Sequence, residues 1–340
     1  MRFPAPVLGF VLALTMLVGG CGAPRESSSP PTGDTAPGSA RRWVIAFSQC
    51  TTTEPWRKVF NEQLRAEARK HADEITFLEA DAQDRTDTQV SQVETFIRQK
   101  VDALLISPKD EGLTSVVERA HAAGIKVIVL DRNVRTDRYD CFIGGDNLEI
   151  GRAAGRHAVE LLGGPGRARG KILEIFGGKG TAPSHERSRG FHEIVDREPG
   201  IRVIGGQDCD WKQEQARTYA ENILKVERDV DLVYAHNDPM AYGARLAAES
   251  LGIAQRMHFL GIDALPDEGV RYVQEGKLSA TFAYLTPGAE GLRQALKLLR
   301  GEPVPKRIRL ATATITPQNA ALWRHGPPAD FQMILDPKNP

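Results

Sequence analysis

The sequence predicts an α/β protein made of two Rossmann-like lobes, each with a mostly parallel sheet. Three observations carry that expectation. From Trp43 onward, short apolar runs alternate with stretches of helical periodicity. The alternation falls into two runs that meet near residues 140–146. The length left after the N-terminal segments suits two domains of ordinary size. Strands separated by helices imply parallel sheets covered on both faces.

In the first run, strands are expected at 44–47, 75–78, 103–106 and 127–130. Helices are expected at 57–71, at 88–100 and around Val117. The 88–100 helix is marked by Val90, Val93, Ile97 and Val101, which recur at i, i+3, i+7 and i+11. In the second run, helices are expected at 147–162, 184–196, 213–226, 239–249 and 267–275. Strands are expected at 172–175, around Val203, and at 232–235, 259–262 and 280–283. Pro239 suits the first turn of its helix, where its missing N–H would be unpaired anyway.

The N-terminus reads differently. Arg2 supplies a charge, residues 7–18 are apolar and uncharged, and the run ends at Val18-Gly19-Gly20-Cys21. The apolar run has the length of a signal-peptide core and is too short to span a bilayer. Small residues before a cysteine let a peptidase approach, which leaves the thiol free for acylation. The segment resembles a bacterial lipobox, with Val18 where Leu is more usual. The rival is an ordinary secretory signal with a chance cysteine. Residues 1–20 are therefore expected to be a lipoprotein signal peptide, with lipid attachment at Cys21. Residues 21–42, rich in Pro, Ser, Gly and Thr, are expected to form a disordered tether with a reach of roughly 25 Å.

Composition excludes some partners. The 44 basic and 44 acidic residues balance, which argues against a nucleic-acid partner and a polybasic membrane grip. Besides Cys21, the chain has Cys50, Cys141 and Cys209, enough for one disulfide in an oxidising compartment with one thiol left over. No cysteine or histidine spacing suggests a metal, and no cofactor is expected.

Ligands of open α/β sheets bind beyond the carboxyl ends of the strands. Those ends carry Glu54, Trp56 and Arg57, then Asp131 and Arg132, and, before the helix at Gly190, Arg187. They also carry Trp211, Asn237, Asp263 and Tyr284. Each has a plainer reading: Asp131-Arg132 as a surface turn, Asp238 as a helix cap, Trp56 as core. Taken together they suit a neutral polyol. Hydroxyl groups need planar donors and acceptors, and each one left unpaired in a dry site costs about 1–3 kcal/mol. The C–H faces of a sugar stack on flat rings, so Trp56 and Trp211 are expected to be platforms. Enzyme signals are weak. Gly177-Gly178-Lys179-Gly180-Thr181 lacks the Walker spacing, and there is no dinucleotide fingerprint or nucleophile elbow. Arg132 and Arg187 would keep neighbouring carboxylates ionised rather than tune one as an acid.

These residues resemble a known family. Ser48-Gln49 with Glu54-Pro55-Trp56-Arg57, Val129-Leu130-Asp131-Arg132, Glu186-Arg187-Ser188-Arg189-Gly190-Phe191, Tyr234-Ala235-His236-Asn237-Asp238, Gly261-Ile262-Asp263 and Leu285-Thr286-Pro287 are similar to motifs of type I periplasmic binding proteins. The resemblance is to the ribose/galactose cluster, the sugar-capture subunits of ABC importers, and most of all to galactofuranose-binding proteins. It covers about residues 44–318.

The resemblance implies a sugar clamped by nine of these strand-end residues, all but Tyr284, between two lobes joined by three crossovers near 140–146, 286–287 and 316–319. The lobes would comprise 43–143 with 288–316 and 144–287 with 317–340. Partners would be a permease and ATPase complex, with the protein a monomer held at the periplasmic or cell-surface side of a membrane by its lipid. Tyr284 stands where ribose binders carry Gln and galactofuranose binders Glu, which leaves the sugar open. Rival expectations are a ligand-sensing subunit for a chemoreceptor or sensor kinase, a sugar-processing enzyme, and a transcription regulator, which would need an N-terminal helix-turn-helix.

Overall fold

In the computed structural model, which describes residues 41–331 and Ile334, every strand-sized apolar run from Trp43 onward enters one of two sheets. The expected signal peptide, Cys21 and almost all of the tether lie outside the described residues. The first run is β1 (Trp43–Gln49), α1 (Pro55–Lys70), β2 (Ile75–Asp81), α2 (Thr86–Gln99), β3 (Ala103–Ser107), α3 (Thr114–Ala122), β4 (Lys126–Leu130) and β5 (Cys141–Gly145). The second is α4 (Asn147–Leu161), β6 (Arg169–Phe176), α5 (Ala182–Val195), β7 (Gly200–Asp208), α6 (Gln213–Val226), β8 (Val230–Ala235), α7 (Asp238–Ser250), β9 (His258–Asp263), α8 (Arg271–Gln274) and β10 (Ala280–Ala283). The chain then forms α9 (Gly288–Leu299), β11 (Arg307–Leu310) and β12 (Thr314–Ile315).

The sheet orders are β11-β5-β4-β3-β1-β2 and β12-β10-β9-β8-β6-β7. All pairs are parallel except β10 with β12. β3 is buried along its whole length, as a central strand covered on both faces should be. One apolar cluster packs Phe60 and Leu64 of the first lobe together with Phe191, Tyr234 and Phe282 of the second, with Trp56 and Tyr284 among its members.

The chain crosses between lobes three times: after Gly145, after Ala283 and after Leu310. The third crossing corrects the expected one at 316–319. β12 already pairs with β10 at Thr281–Ile315 and Phe282–Thr314, so residues 314–316 go with the second lobe. β5 likewise stays in the first sheet through Gly145, two residues past the expected boundary. Ile334, expected in the second lobe, pairs with Leu310 of the first sheet. The expected pattern also contains no element for β5, α9, β11 or β12.

Cys50, Cys141 and Cys209 are all buried and free, so the disulfide left open by the sequence does not form.

Helices α4 and α5 pack backbone against backbone. A Cβ on Gly190 would lie 2.1 Å from the carbonyl oxygen of Leu148, and one on Gly151 would lie 2.2 Å from that of Arg187. These backbones touch because neither residue has a side chain there. Gly190→Ala is expected to cost about 1–3 kcal/mol by overpacking. In a thermal melt it should lower the midpoint by several degrees, and an unchanged midpoint would refute the close-contact account.

Candidate functional site: a cleft between the two lobes

Three helices begin at the cleft, and each carries a proline in its first turn. Pro55 opens α1, Pro183 lies in the first turn of α5 and Pro239 in that of α7, and all three rings line the cavity. Proline removes an N–H that a helix start would otherwise leave unpaired in a dry wall. The free space left between these walls is small, about 30 Å³. All ten strand-end residues expected at the site line it: Glu54, Trp56, Arg57, Asp131, Arg132, Arg187, Trp211, Asn237, Asp263 and Tyr284. The prolines were the lining that the expectation lacked.

On the first lobe, Asp131 is the anchor. It follows β4 with a positive φ of 67° and is almost fully buried. Arg57 approaches its Oδ2 at 2.6 Å, and the Tyr284 hydroxyl donates to its Oδ1 at 2.5 Å. Burial pushes this carboxyl up, but the Arg57 and Arg132 guanidinium groups outweigh burial and hold it below the usual carboxylate range. Arg57 also donates to Ser107 Oγ at 2.9 Å and has Glu54 at 3.4 Å. Arg132 donates to the carbonyl of Lys109 at 2.9 Å. Asp131-Arg132 is therefore no surface turn.

On the second lobe, Arg187 is 2 % exposed, the largest of the fully buried side chains. Its Nε donates to Asn147 Oδ1 at 2.9 Å and its Nη1 to the carbonyl of His236 at 2.5 Å. Among the described residues it makes no ion pair. Asn237 is the N-cap of α7: its Oδ1 accepts from Met240 N at 3.0 Å, and its Nδ2 donates to Trp211 O at 3.1 Å. The cap thus sits one residue before Asp238. Asp238 instead accepts from Ala264 N at 2.8 Å and Thr281 Oγ1 at 2.9 Å.

Asp263 has a φ of 123° and Trp211 one of 62°, so three site residues hold left-handed backbone that costs about 1–3 kcal/mol each. Burial raises the Asp263 carboxyl well above its ordinary range, against the lowering effect of Arg187. Among the described residues, no side-chain hydrogen bond ties that carboxyl down.

The glycine run after β6 is no phosphate loop. A Cβ on Gly177 would lie 2.3 Å from the Trp211 ring and one on Gly178 2.9 Å from its Nε1, so the glycines make room for the indole. Lys179 N donates to the Asp208 carboxylate at 2.8 Å, the wrong charge for an anion site.

A ladder of planar groups crosses the cleft. The guanidinium of Arg187 lies 5.4 Å from the Trp211 ring centre and 4.3 Å from that of Tyr284. Tyr284 stacks on Trp56 at 5.1 Å and 22°. Trp56 Nε1 donates to the Tyr284 carbonyl at 2.6 Å, and Arg57 lies 4.9 Å from the Trp56 ring centre. Trp56 is consequently both core and cleft wall, and its stacking partners here are Tyr284 and Arg57.

A polar chain lies behind Arg187 that the sequence did not signal. Gly177 N approaches His236 Nδ1 at 3.4 Å and Ser184 Oγ approaches it at 3.0 Å. An N–H must donate, so Nδ1 accepts and the ring proton sits on Nε2, which donates to Glu174 at 3.2 Å. His192 Nε2 reaches the other Glu174 oxygen at 3.1 Å, and its Nδ1 reaches Asp196 at 2.9 Å. Burial pushes Glu174 up, but the two histidine hydrogen bonds prevail and bring it down to about 2. Burial lowers His236, which stays neutral.

The hydrogen bond to Glu174 raises His192 from 6.5 to about 9. A raised histidine stabilises the fold fully below its unfolded value and loses that contribution as pH rises through the folded one. Melting midpoints should therefore fall between pH 7 and pH 9.5, and His192→Gln should flatten that slope. A variant with the parent's slope would refute the assignment.

Comparison with known proteins places this cleft in context. The family model of the periplasmic binding protein domain matches residues 45–303. The ribose import binding protein of Bacillus subtilis is 31 % identical over 274 residues, 80 % of this chain and 86 % of that protein. The galactofuranose-binding protein of Escherichia coli is 29 % identical over 283 residues, 80 % and 87 % of the two chains. The solved structure of the fructose-binding periplasmic domain of a hybrid two-component system superposes with a TM-score of 0.79 at 34 % identity, covering 83 % of this chain and 93 % of that one. By its two sheets, its cleft and its sequence, the chain belongs to the periplasmic binding protein family and has the type I fold.

Proposed function

We propose that the protein captures a neutral monosaccharide or related polyol outside the cytoplasm and delivers it to an ABC importer. A hexose or pentose, galactofuranose-like or otherwise, binds one lobe, and closure about the three crossings buries it against the other. The observation that carries this reading is the composition of the cleft. Guanidinium, carboxylate and amide groups from both lobes converge there, between proline and indole walls, beyond the carboxyl ends of both sheets. Its relatives include a ribose import binding protein and a galactofuranose-binding protein, which are binding proteins rather than enzymes. No bond of the ligand is made or broken.

The similarity to a periplasmic domain of a two-component system supports a second reading, in which the closed form docks on a sensor rather than a permease. Reconstituted ATPase stimulation by the liganded protein favours import, and kinase stimulation favours sensing.

Calorimetry of the full chain in detergent against pentoses, hexoses in both ring forms and inositols tests capture. At least one should bind stoichiometrically without turnover. Binding of none, with another solute class bound instead, refutes the reading. Asp263 is the informative variant, because Asp131→Ala would also strand the Arg57 charge and cost about 3–5 kcal/mol of fold stability. Asp263→Asn should leave the melt unchanged or raised while weakening binding about 3-fold to 10-fold, the worth of one neutral hydrogen bond, because burial disfavours the charged carboxylate. Full affinity in this variant would remove Asp263 from the site.

Lipid attachment at Cys21, with residues 22–42 as the tether, completes the proposal. Cys21→Ser should move the protein from the detergent phase to the aqueous phase on Triton X-114 partitioning. A parent protein already in the aqueous phase would exclude the anchor.

A further inference from the structure

We infer that Asp238, which does not line the cavity, positions Asp263 for the ligand by holding the turn that carries it. The inference rests on the capture reading and adds a positioning residue to it.

Asp263 does not hold its place alone. Its carboxyl has no side-chain hydrogen bond among the described residues, and its backbone is strained, with a φ of 123° at Asp263 and 56° at Ala264. Such a turn persists only where its surroundings over-determine it. Asp238 supplies the tie. It is the first residue of α7 and is 0 % exposed. Its Oδ2 accepts from the Ala264 N–H at 2.8 Å and from Thr281 Oγ1 at 2.9 Å, which joins α7, the turn after β9 and β10 at one atom. The space is cut for a carboxyl, because a Cβ on Gly261 or Gly269 would collide with it.

The tie works as a neutral acid. Both donors converge on Oδ2, while Oδ1 is buried with no hydrogen-bond partner among the described residues. A charge there would leave one oxygen uncompensated. The titratable and charged groups around it are Asp263 of β9, Glu268, Tyr272 of α8 and Arg187 of α5, and only Arg187 favours ionisation. Burial prevails and raises the Asp238 carboxyl to about 8. Above that pH a second negative charge stands behind Asp263 and pushes the turn out of place.

The test is calorimetry on the full chain in detergent at pH 6.5 and pH 9.5, with the tightest binder among D-ribose, D-galactose and myo-inositol as probe. The parent should lose affinity about threefold to tenfold between the two pH values, the worth of one positioned hydrogen bond. Asp238→Asn, isosteric with the neutral acid, should match the parent at pH 6.5 and keep that affinity at pH 9.5. Asp263→Asn should also show no fall, because Asp238 acts through Asp263. A parent whose affinity does not fall overturns the inference. So does a fall that persists in Asp238→Asn, which puts the titration on Asp263 itself. A fall that persists in Asp263→Asn overturns it too, because Asp238 then supports the fold at large. Weak binding by folded Asp238→Asn at pH 6.5 refutes the neutral acid. If Asp238→Asn does not fold, the parent and Asp263→Asn profiles decide. A parent that binds none of the three probes refutes capture itself, an outcome distinct from a flat pH profile.

Discussion

The buried pairing of Asp131 with Arg57, capped by the Tyr284 hydroxyl, is the contact on which the geometry of both lobes depends. A buried carboxylate is tolerated only when charge and hydrogen bonds compensate it. Arg57 from α1 and Tyr284 from the second crossing supply that compensation, so satisfying one charge fixes a helix start and a crossing together. The planar ladder continues outward from that point. Arg187 is placed between Tyr284 and Trp211 by Asn147 and the His236 carbonyl, and Trp211 is seated by Gly177 and Gly178. Each aromatic or cation–π step contributes about 0.5–2 kcal/mol once desolvated. The steps matter more for position than for stability. They hold flat groups in one order across the cleft.

Behind the ladder, Glu174 and the two histidines give the wall rigidity without adding charge to the ligand side. His236 stays neutral because burial disfavours its cation, and its tautomer is dictated by the Gly177 N–H. The charge on Glu174 is balanced toward the half-exposed His192 instead. The cleft thereby keeps its unpaired hydrogen-bonding capacity on Asp263, the strained last residue of β9.

Much of this arrangement could be read from local patterns. The apolar run of β4 followed by Asp131-Arg132 marks a strand end, and the same logic finds Asp263 at the end of β9 and Tyr284 after β10. β5 escaped because Gly144 and Gly145 dilute its strand character, and β11 because it is a four-residue edge strand with alternating exposure. α9 has an apolar stripe of Leu292, Ala295, Leu296 and Leu299, so its signal was present in the sequence even though it was not expected there. The hydrogen bond from Trp56 to Tyr284 had no such signal. The two residues are 228 positions apart, and only the closing of the sheets brings them together. Asn147 and Glu174 were missed for a related reason, and His236 stood in a quoted motif without a role: each acts on Arg187 or on its support through backbone or second-hand contacts.

The three buried thiols have a consequence for how the chain is made. Burial pushes Cys141 up to about 12 and Cys209 up to about 11, and it raises Cys50 despite two nearby arginines. The reactive form of a cysteine is the thiolate, so these side chains are chemically quiet at neutral pH once the fold has formed. No cross-link has to be installed before the lobes are complete. The folded body therefore holds together without an oxidant, and burial shields its own thiols from one.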